Sequence, residues 1–161
     1  MELPQRKRNR LKDFDYSKPG AYFVTICTKD RKNLFWENVG ASIARPQDVV
    51  LSGYGVVVQE AIRNISLIYP AVVVDHYVIM PNHIHLLLRI ETDRDGRPMV
   101  APTVSKVIQQ LKGYITKQIG WSIWQKLFHD HVIRGERDYQ KIWNYIEGNP
   151  MKWNEDCFYM A

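Results

Sequence analysis

Cysteine is scarce in this chain: Cys27 and Cys157 are two thiols among 161 residues. Two thiols so far apart in sequence suggest neither a disulfide framework nor a metal knuckle, and a reducing cytoplasm is the expected compartment. Long apolar runs are missing as well. No stretch approaches the roughly 20 residues needed to span a bilayer, so no membrane partner is expected. The first twelve residues are basic and polar with no apolar signal core, which argues against secretion. Acidic residues are in deficit, 17 Asp and Glu against 22 Lys and Arg, a formal charge of +5 and a pI near 9.2. That balance favours a polyanionic partner, most economically nucleic acid, although proteins without such a partner carry similar charge. No ATP-binding motif is present.

What remains is an ordinary globular composition, 45% hydrophobic and 24% charged, long enough for one domain with its own core. The chain divides into a basic arm over 1–12 and a single domain over 13–161. Arg6, Lys7, Arg8 and Arg10, with Lys12, crowd the arm. They read either as a solvated tail or as an arm lying along phosphates, whose contribution would weaken steeply with salt.

Residues 21–28, β-branched and aromatic and apolar on both faces, predict a central strand after the Pro19-Gly20 turn signal. A polar loop over 29–46 holds a short strand near 34–36, and another apolar stretch covers 49–51. A mixed helical period over 52–69 ends at Pro70. Residues 72–80 form a second strand, Pro81-Asn82 a tight reversal, and 83–90 a third strand. Beyond an exposed loop over 91–102, Val104, Val107, Ile108, Leu111, Ile115 and Ile119 have helical spacing within a helix over 103–119. A strand over 127–134 and a helix over 137–148, closed by Gly148 and Pro150, complete the chain. The order is strand, helix, strand, strand, helix, strand, helix. It predicts an α+β, ferredoxin-like antiparallel sheet with helices on one face and an extra C-terminal helix free to lie across the other.

His83-Ile84-His85 is the feature that narrows function most. Histidines one residue apart in a strand point to the same side, which offers a divalent metal half of its shell. A lone pair of this kind is also compatible with hydrogen-bonded core histidines. On the last helix Lys141, Tyr145 and Asn149 are four apart and form one row beside the apolar stripe of Tyr139, Ile142 and Ile146. Tyr145 is placed to project its hydroxyl into a cleft, and the Asn149 carbonyl suits a hard ion such as Mg²⁺ or Mn²⁺. A tyrosine with an ordinary pKa near 10 needs activation at neutral pH, and a nearby cation favours the phenolate.

Met80-Pro-Asn-His-Ile-His85, followed by Tyr145-Ile-Glu-Gly-Asn-Pro150, resembles the HUH single-tyrosine transposases, more closely the REP-associated tyrosine transposases. Further matching segments are Asp15 to Cys27, Trp124-Gln125, and His131-Val-Ile-Arg134, so the resemblance runs from about Leu11 to Tyr159. It implies cleavage and rejoining of single-stranded DNA with hairpin or palindromic repeats. It further implies a divalent metal, Mg²⁺ or Mn²⁺, held by His83 and His85 against the scissile phosphate. Tyr145 would attack to leave a 5′-phosphotyrosine link and a free 3′-hydroxyl. Asn149 stands where relatives supply a third polar ligand, often glutamine. Within this resemblance the protein acts as a monomer or as a homodimer.

Rival assignments remain open. Tyr114 is the alternative nucleophile. His129-Asp130-His131 repeats the alternating geometry and reads as a second metal site, a DNA contact or a structural pair. His76 reads as a hydrogen-bonded core histidine. Tyr77, Tyr139 and Trp143 are base-stacking or core residues, and Lys112, Lys117, Arg134 and Lys141 are phosphate contacts or solvated surface. Two further functions compete with strand transfer: a domesticated DNA-binding protein of the same fold with little catalysis, and a small metallohydrolase that forms no covalent intermediate.

Overall fold

The computed structural model describes residues 19–91 and 103–160. The basic arm and most of the expected 91–102 loop lie outside the described residues. Four strands form one antiparallel sheet: β1 (Gly20–Cys27), β2 (Val72–Ile79), β3 (His83–Ile90) and β4 (His129–Val132), in the order β2-β3-β1-β4. The helices are α1 (Gly53–Arg63), α2 (Ile65–Ile68), α3 (Val104–Ile119) and α4 (Glu136–Gly148). This is the α+β, ferredoxin-like arrangement expected from the element order.

Register decides what each face carries. On β3, Ile84, Leu86 and Leu88 oppose Ile26, Val24 and Tyr22 of β1, and all six are buried in the single core cluster with the apolar sides of α1 and α3. Ser52 caps α1 by accepting from the Gly55 amide, and Thr103 caps α3 by accepting from the Lys106 amide at 3.2 Å. Gly120, at φ 95°, ends α3 in the left-handed conformation that glycine adopts without a Cβ penalty. The opposite face of β3 presents His83, His85 and Leu87 against Cys27, Thr25 and Phe23. Helix α4 packs there, against β2 and β3.

Three expected elements come out differently. The helix over 52–69 breaks at Asn64, whose amide bonds back to Glu60 and whose side chain suits a helix end better than its interior. The short strand expected near 34–36 reduces to a single bridge, from Trp36 to Leu51. The strand over 127–134 shortens to four residues, each paired with one of Tyr22 to Thr25 of β1. Among the described residues no helix is long and apolar enough to cross a membrane.

Candidate active site

His83 and His85 are almost fully buried, and their Nε2 atoms lie 3.1 Å apart. Each ring is oriented by a partner behind it. The Asn82 carboxamide oxygen accepts from His83 Nδ1 at 2.8 Å, and Thr25 Oγ1 lies 2.7 Å from His85 Nδ1. Because Asn82 Oδ1 can only accept, the His83 proton sits on Nδ1 and the Nε2 lone pair is bare. Burial holds both rings neutral: it pushes His83 down to about 4, against the opposing influence of the Asp156 charge and the Asn149 side chain. His85 goes well below the usual histidine range through burial and then its neighbour His83.

Helix α4 brings the second half of the site. Ile146 is its one fully buried residue, with Tyr139, Ile142 and Trp143 packed partly against the core. Polar ties supplement this modest apolar grip. The Tyr139 hydroxyl donates to Asp75 at 2.9 Å, and Asp75 also pairs with Arg89. His76 lies 2.7 Å from Glu147 and stacks on Trp143 at 4.4 Å. Tyr145, 43% exposed, places its ring 5.4 Å from His85 and 6.1 Å from Phe23, centroid to centroid. Burial raises its hydroxyl to about 12, and the charges of Asp156 and Cys157 add to that while Asn149 opposes it.

The helical phase persists through Asn149 (φ −62°, ψ −42°) in spite of the following proline, so the row of Lys141, Tyr145 and Asn149 is intact. The Asn149 amide donates to Asp156 Oδ2 at 2.9 Å, while Asn149 Oδ1 is buried with no hydrogen-bond partner.

Asp156 is the residue that sequence reasoning missed. A 3₁₀ segment, Pro150–Glu155, is anchored by Trp153, buried against Trp36 at 6.3 Å, and delivers Asp156 back to the sheet. Its Oδ2 lies 3.8 Å from His83 Nε2, and its Oδ1 accepts from the Phe158 amide at 2.8 Å. The ligand atoms of His83, His85 and Asp156 all fall within 4.8 Å of one another, and among the described residues no other such group of three occurs. The donor set fits a divalent ion. Two nitrogens about 2.1 Å from one cation at a right angle stand about 3 Å apart, close to the separation here. A neutral histidine pair, a carboxylate and an unpartnered amide oxygen supply mixed N and O ligation. No motif announced Asp156; its one signal was its position shortly after the tyrosine helix. A cleft of about 340 Å³ opens beside it, lined by Asn144, Tyr145, Asn149, Lys152 and Cys157.

The other sequence candidates scatter. Tyr114 lies on α3, across the sheet from the histidines, in an apolar pocket with Ile65 and Leu111. His131, at 2.8 Å from Asp138, ties β4 to the first turn of α4, and the His129–His131 pair gathers no third ligand among the described residues. His76 is hydrogen-bonded as expected, but at the α4–β2 seam and not in the core. Lys112 is half-buried and donates to the Gln125 carbonyl at 2.6 Å, joining α3 to the segment before β4. Lys117, Arg134 and Lys141 are exposed. Arg6, Lys7, Arg8 and Arg10 lie outside the described residues.

No protein-family model matches the chain. A Haemophilus influenzae protein without an assigned function is 29% identical over 177 residues, covering 98% of this chain and 95% of its own. A second protein of that organism, provisionally named a REP-associated tyrosine transposase, is 27% identical over 146 residues, covering 86% of this chain and 74% of its own. Among solved structures, a REP-associated tyrosine transposase bound to a REP hairpin superposes with a TM-score of 0.60 at 22% identity, covering 93% of this chain and 74% of that one. Its fold is the fold seen here. The resemblance to REP-associated tyrosine transposases read from the motifs therefore extends through the architecture.

Proposed function

We propose that this protein is a metal-dependent single-stranded DNA endonuclease and strand transferase that acts on hairpin or repeat DNA through a 5′-phosphotyrosine intermediate. The observation that carries this reading is the approach of Tyr145 to His85, 5.4 Å between ring centroids within one chain, beside the His83–His85–Asp156 cluster. The named relative and the hairpin-bound structure support the same substrate class.

His83, His85 and Asp156 would hold the ion, with Asn149 Oδ1 as the adjacent fourth ligand atom. When bound, the ion supplies Lewis-acid neutralisation of charge at the scissile phosphate. Tyr145 is the nucleophile. Its Oη–phosphorus bond forms as the bond from phosphorus to the 3′-oxygen breaks; the phenol proton leaves to solvent and the 3′-oxygen takes one up from solvent. Energy stays in the covalent ester, so the 3′-hydroxyl of another strand can reverse the step without ATP. Thr25 and Asn82 fix the two imidazoles, and Asn149 holds Asp156 against them. The arm residues Arg6, Lys7, Arg8 and Arg10, with Lys117, Arg134 and Lys141, are proposed phosphate contacts.

The test is incubation of the full chain and Mn²⁺ with end-labelled hairpin DNA carrying single-stranded flanks. A denaturation-resistant adduct that disappears in Tyr145→Phe supports the reading. Tight binding with no adduct on any hairpin would leave a DNA-binding protein of this fold, and cleavage without an adduct a metallohydrolase.

A further inference from the structure

Residues Lys29 to Lys32 form a tight turn at the end of β1, with the Lys32 amide bonded to the Lys29 carbonyl at 3.4 Å. Both central residues have positive φ, Asp30 at 56° and Arg31 at 53°, and among the described residues they are the two non-glycine positions that do. Positive φ at both central positions is the type I′ pattern, which ordinarily takes Asn-Gly or Asp-Gly. The sequence has Asp followed by arginine, so a long cationic side chain occupies the place where glycine would be unstrained. Such conformations persist where the surroundings over-determine them, and they concentrate at functional sites.

The surroundings here belong to the candidate active site. The Asn82 side-chain amide donates to the Arg31 carbonyl at 3.3 Å and to the Phe158 carbonyl at 2.7 Å, while its oxygen holds His83. One carboxamide therefore joins the strained turn to the first histidine. The Arg31 guanidinium lies 5.6 Å over the Phe158 ring, whose centroid is in turn 4.6 Å from that of His83. No carboxylate pairs with Arg31 among the described residues; burial raises the thiols of Cys27 and Cys157, which flank the cluster, and the Arg31 charge opposes that rise at both. An exposed guanidinium is thus held one aromatic layer from His83, with no side-chain hydrogen bond or ion pair to the described residues. A planar guanidinium offers paired N–H groups matched to two oxygens of a phosphate.

We propose that Arg31 is a phosphate-binding residue of this site, donating to the non-bridging oxygens of the phosphodiester that Tyr145 attacks. The inference rests on the strand-transfer reading and adds to it a cation from the end of β1, on an element separate from the tyrosine helix. A phosphate-binding role accounts for an arginine at a turn position that glycine would occupy without strain.

The test uses Arg31→Gly and Arg31→Lys in the full chain, with the hairpin and Mn²⁺ of the adduct assay. Glycine suits φ 53° better than arginine, so the thermal midpoint of Arg31→Gly should equal or exceed that of the parent, separating side chain from fold. The Mn²⁺-induced thermal shift should be unchanged. Single-turnover adduct formation should fall about 100-fold in Arg31→Gly, as for loss of a donor to developing charge, and less in Arg31→Lys, which keeps the charge and loses the fork. Adduct formation at the parent rate in Arg31→Gly would overturn the inference and leave the strand-transfer reading standing. Equal loss of hairpin affinity and adduct rate would overturn it too, making Arg31 a general backbone contact. Failure of the parent itself to form any adduct would remove both.

Discussion

Tyr145 and His85 meet within a single polypeptide, their rings inclined at 62° with centroids 5.4 Å apart. The proposed nucleophile and a proposed metal ligand are thus contributed by the same copy. Mixing Tyr145→Phe with His83→Ala should therefore yield no adduct on hairpin DNA, because neither chain holds a complete site. Recovery of activity in the mixture, measured on denaturing gels, would show instead that sites assemble from two chains.

Metal binding has a signature independent of DNA. An ion bound only by the folded state at 100 times its dissociation constant adds about 2.7 kcal/mol of stability. Mn²⁺ should raise the thermal midpoint of the parent protein, and His83→Ala, His85→Ala and Asp156→Ala should each abolish most of that rise. Asn149→Ala should reduce it less, since its direct bond is to Asp156. A full Mn²⁺ shift in Asp156→Ala would remove the carboxylate from the ligand set.

The fold was legible because its signals are local. Alternation in His83 to Ile90, helical spacing in Val104 to Ile119 and the Pro81-Asn82 reversal each act within a few residues. The site was half legible for the same reason: His83 and His85 share a strand face, and Tyr145 and Asn149 share a helix row. Asp156 was not, because nothing local marks it. Its place depends on Trp153 finding Trp36 across the chain and on the hydrogen bonds from Asn149 and the Phe158 amide. Arg31 escaped for a different reason. Its proposed role was signalled only by a turn conformation that its own residue type disfavours, which no local pattern in the sequence announces.

Acid should weaken the fold through the histidine pair. Burial depresses His83 to about 4 and His85 further, so between the ordinary histidine value near 6.5 and about 4 the unfolded chain binds protons that the native state refuses. Stability rises with pH wherever the unfolded state binds more protons. The contribution is therefore fully present above about 6.5 and is lost as pH falls toward 4. Urea midpoints with a chelator present should drop between pH 7 and pH 5, and the drop should flatten in the His83→Gln/His85→Gln variant. A parent midpoint that stays level over this range would contradict the burial of two neutral imidazoles.

Tyr145 offers the complementary measurement. Its hydroxyl is raised to about 12, first by burial and then by the negative charges of Asp156 and Cys157. Replacing Asp156 with asparagine removes one of those charges at nearly constant volume, so ionisation of Tyr145 should move down toward the ordinary value near 10. With nine tyrosines in the chain, the titration is read as the ultraviolet difference between each protein and its Tyr145→Phe counterpart. Mn²⁺ should lower the parent's value by the same electrostatic logic and should have little effect once Asp156 and His83 are both replaced. If the Asp156→Asn titration coincides with that of the parent, the carboxylate is not what holds the nucleophile protonated, and the coupling between these two residues fails.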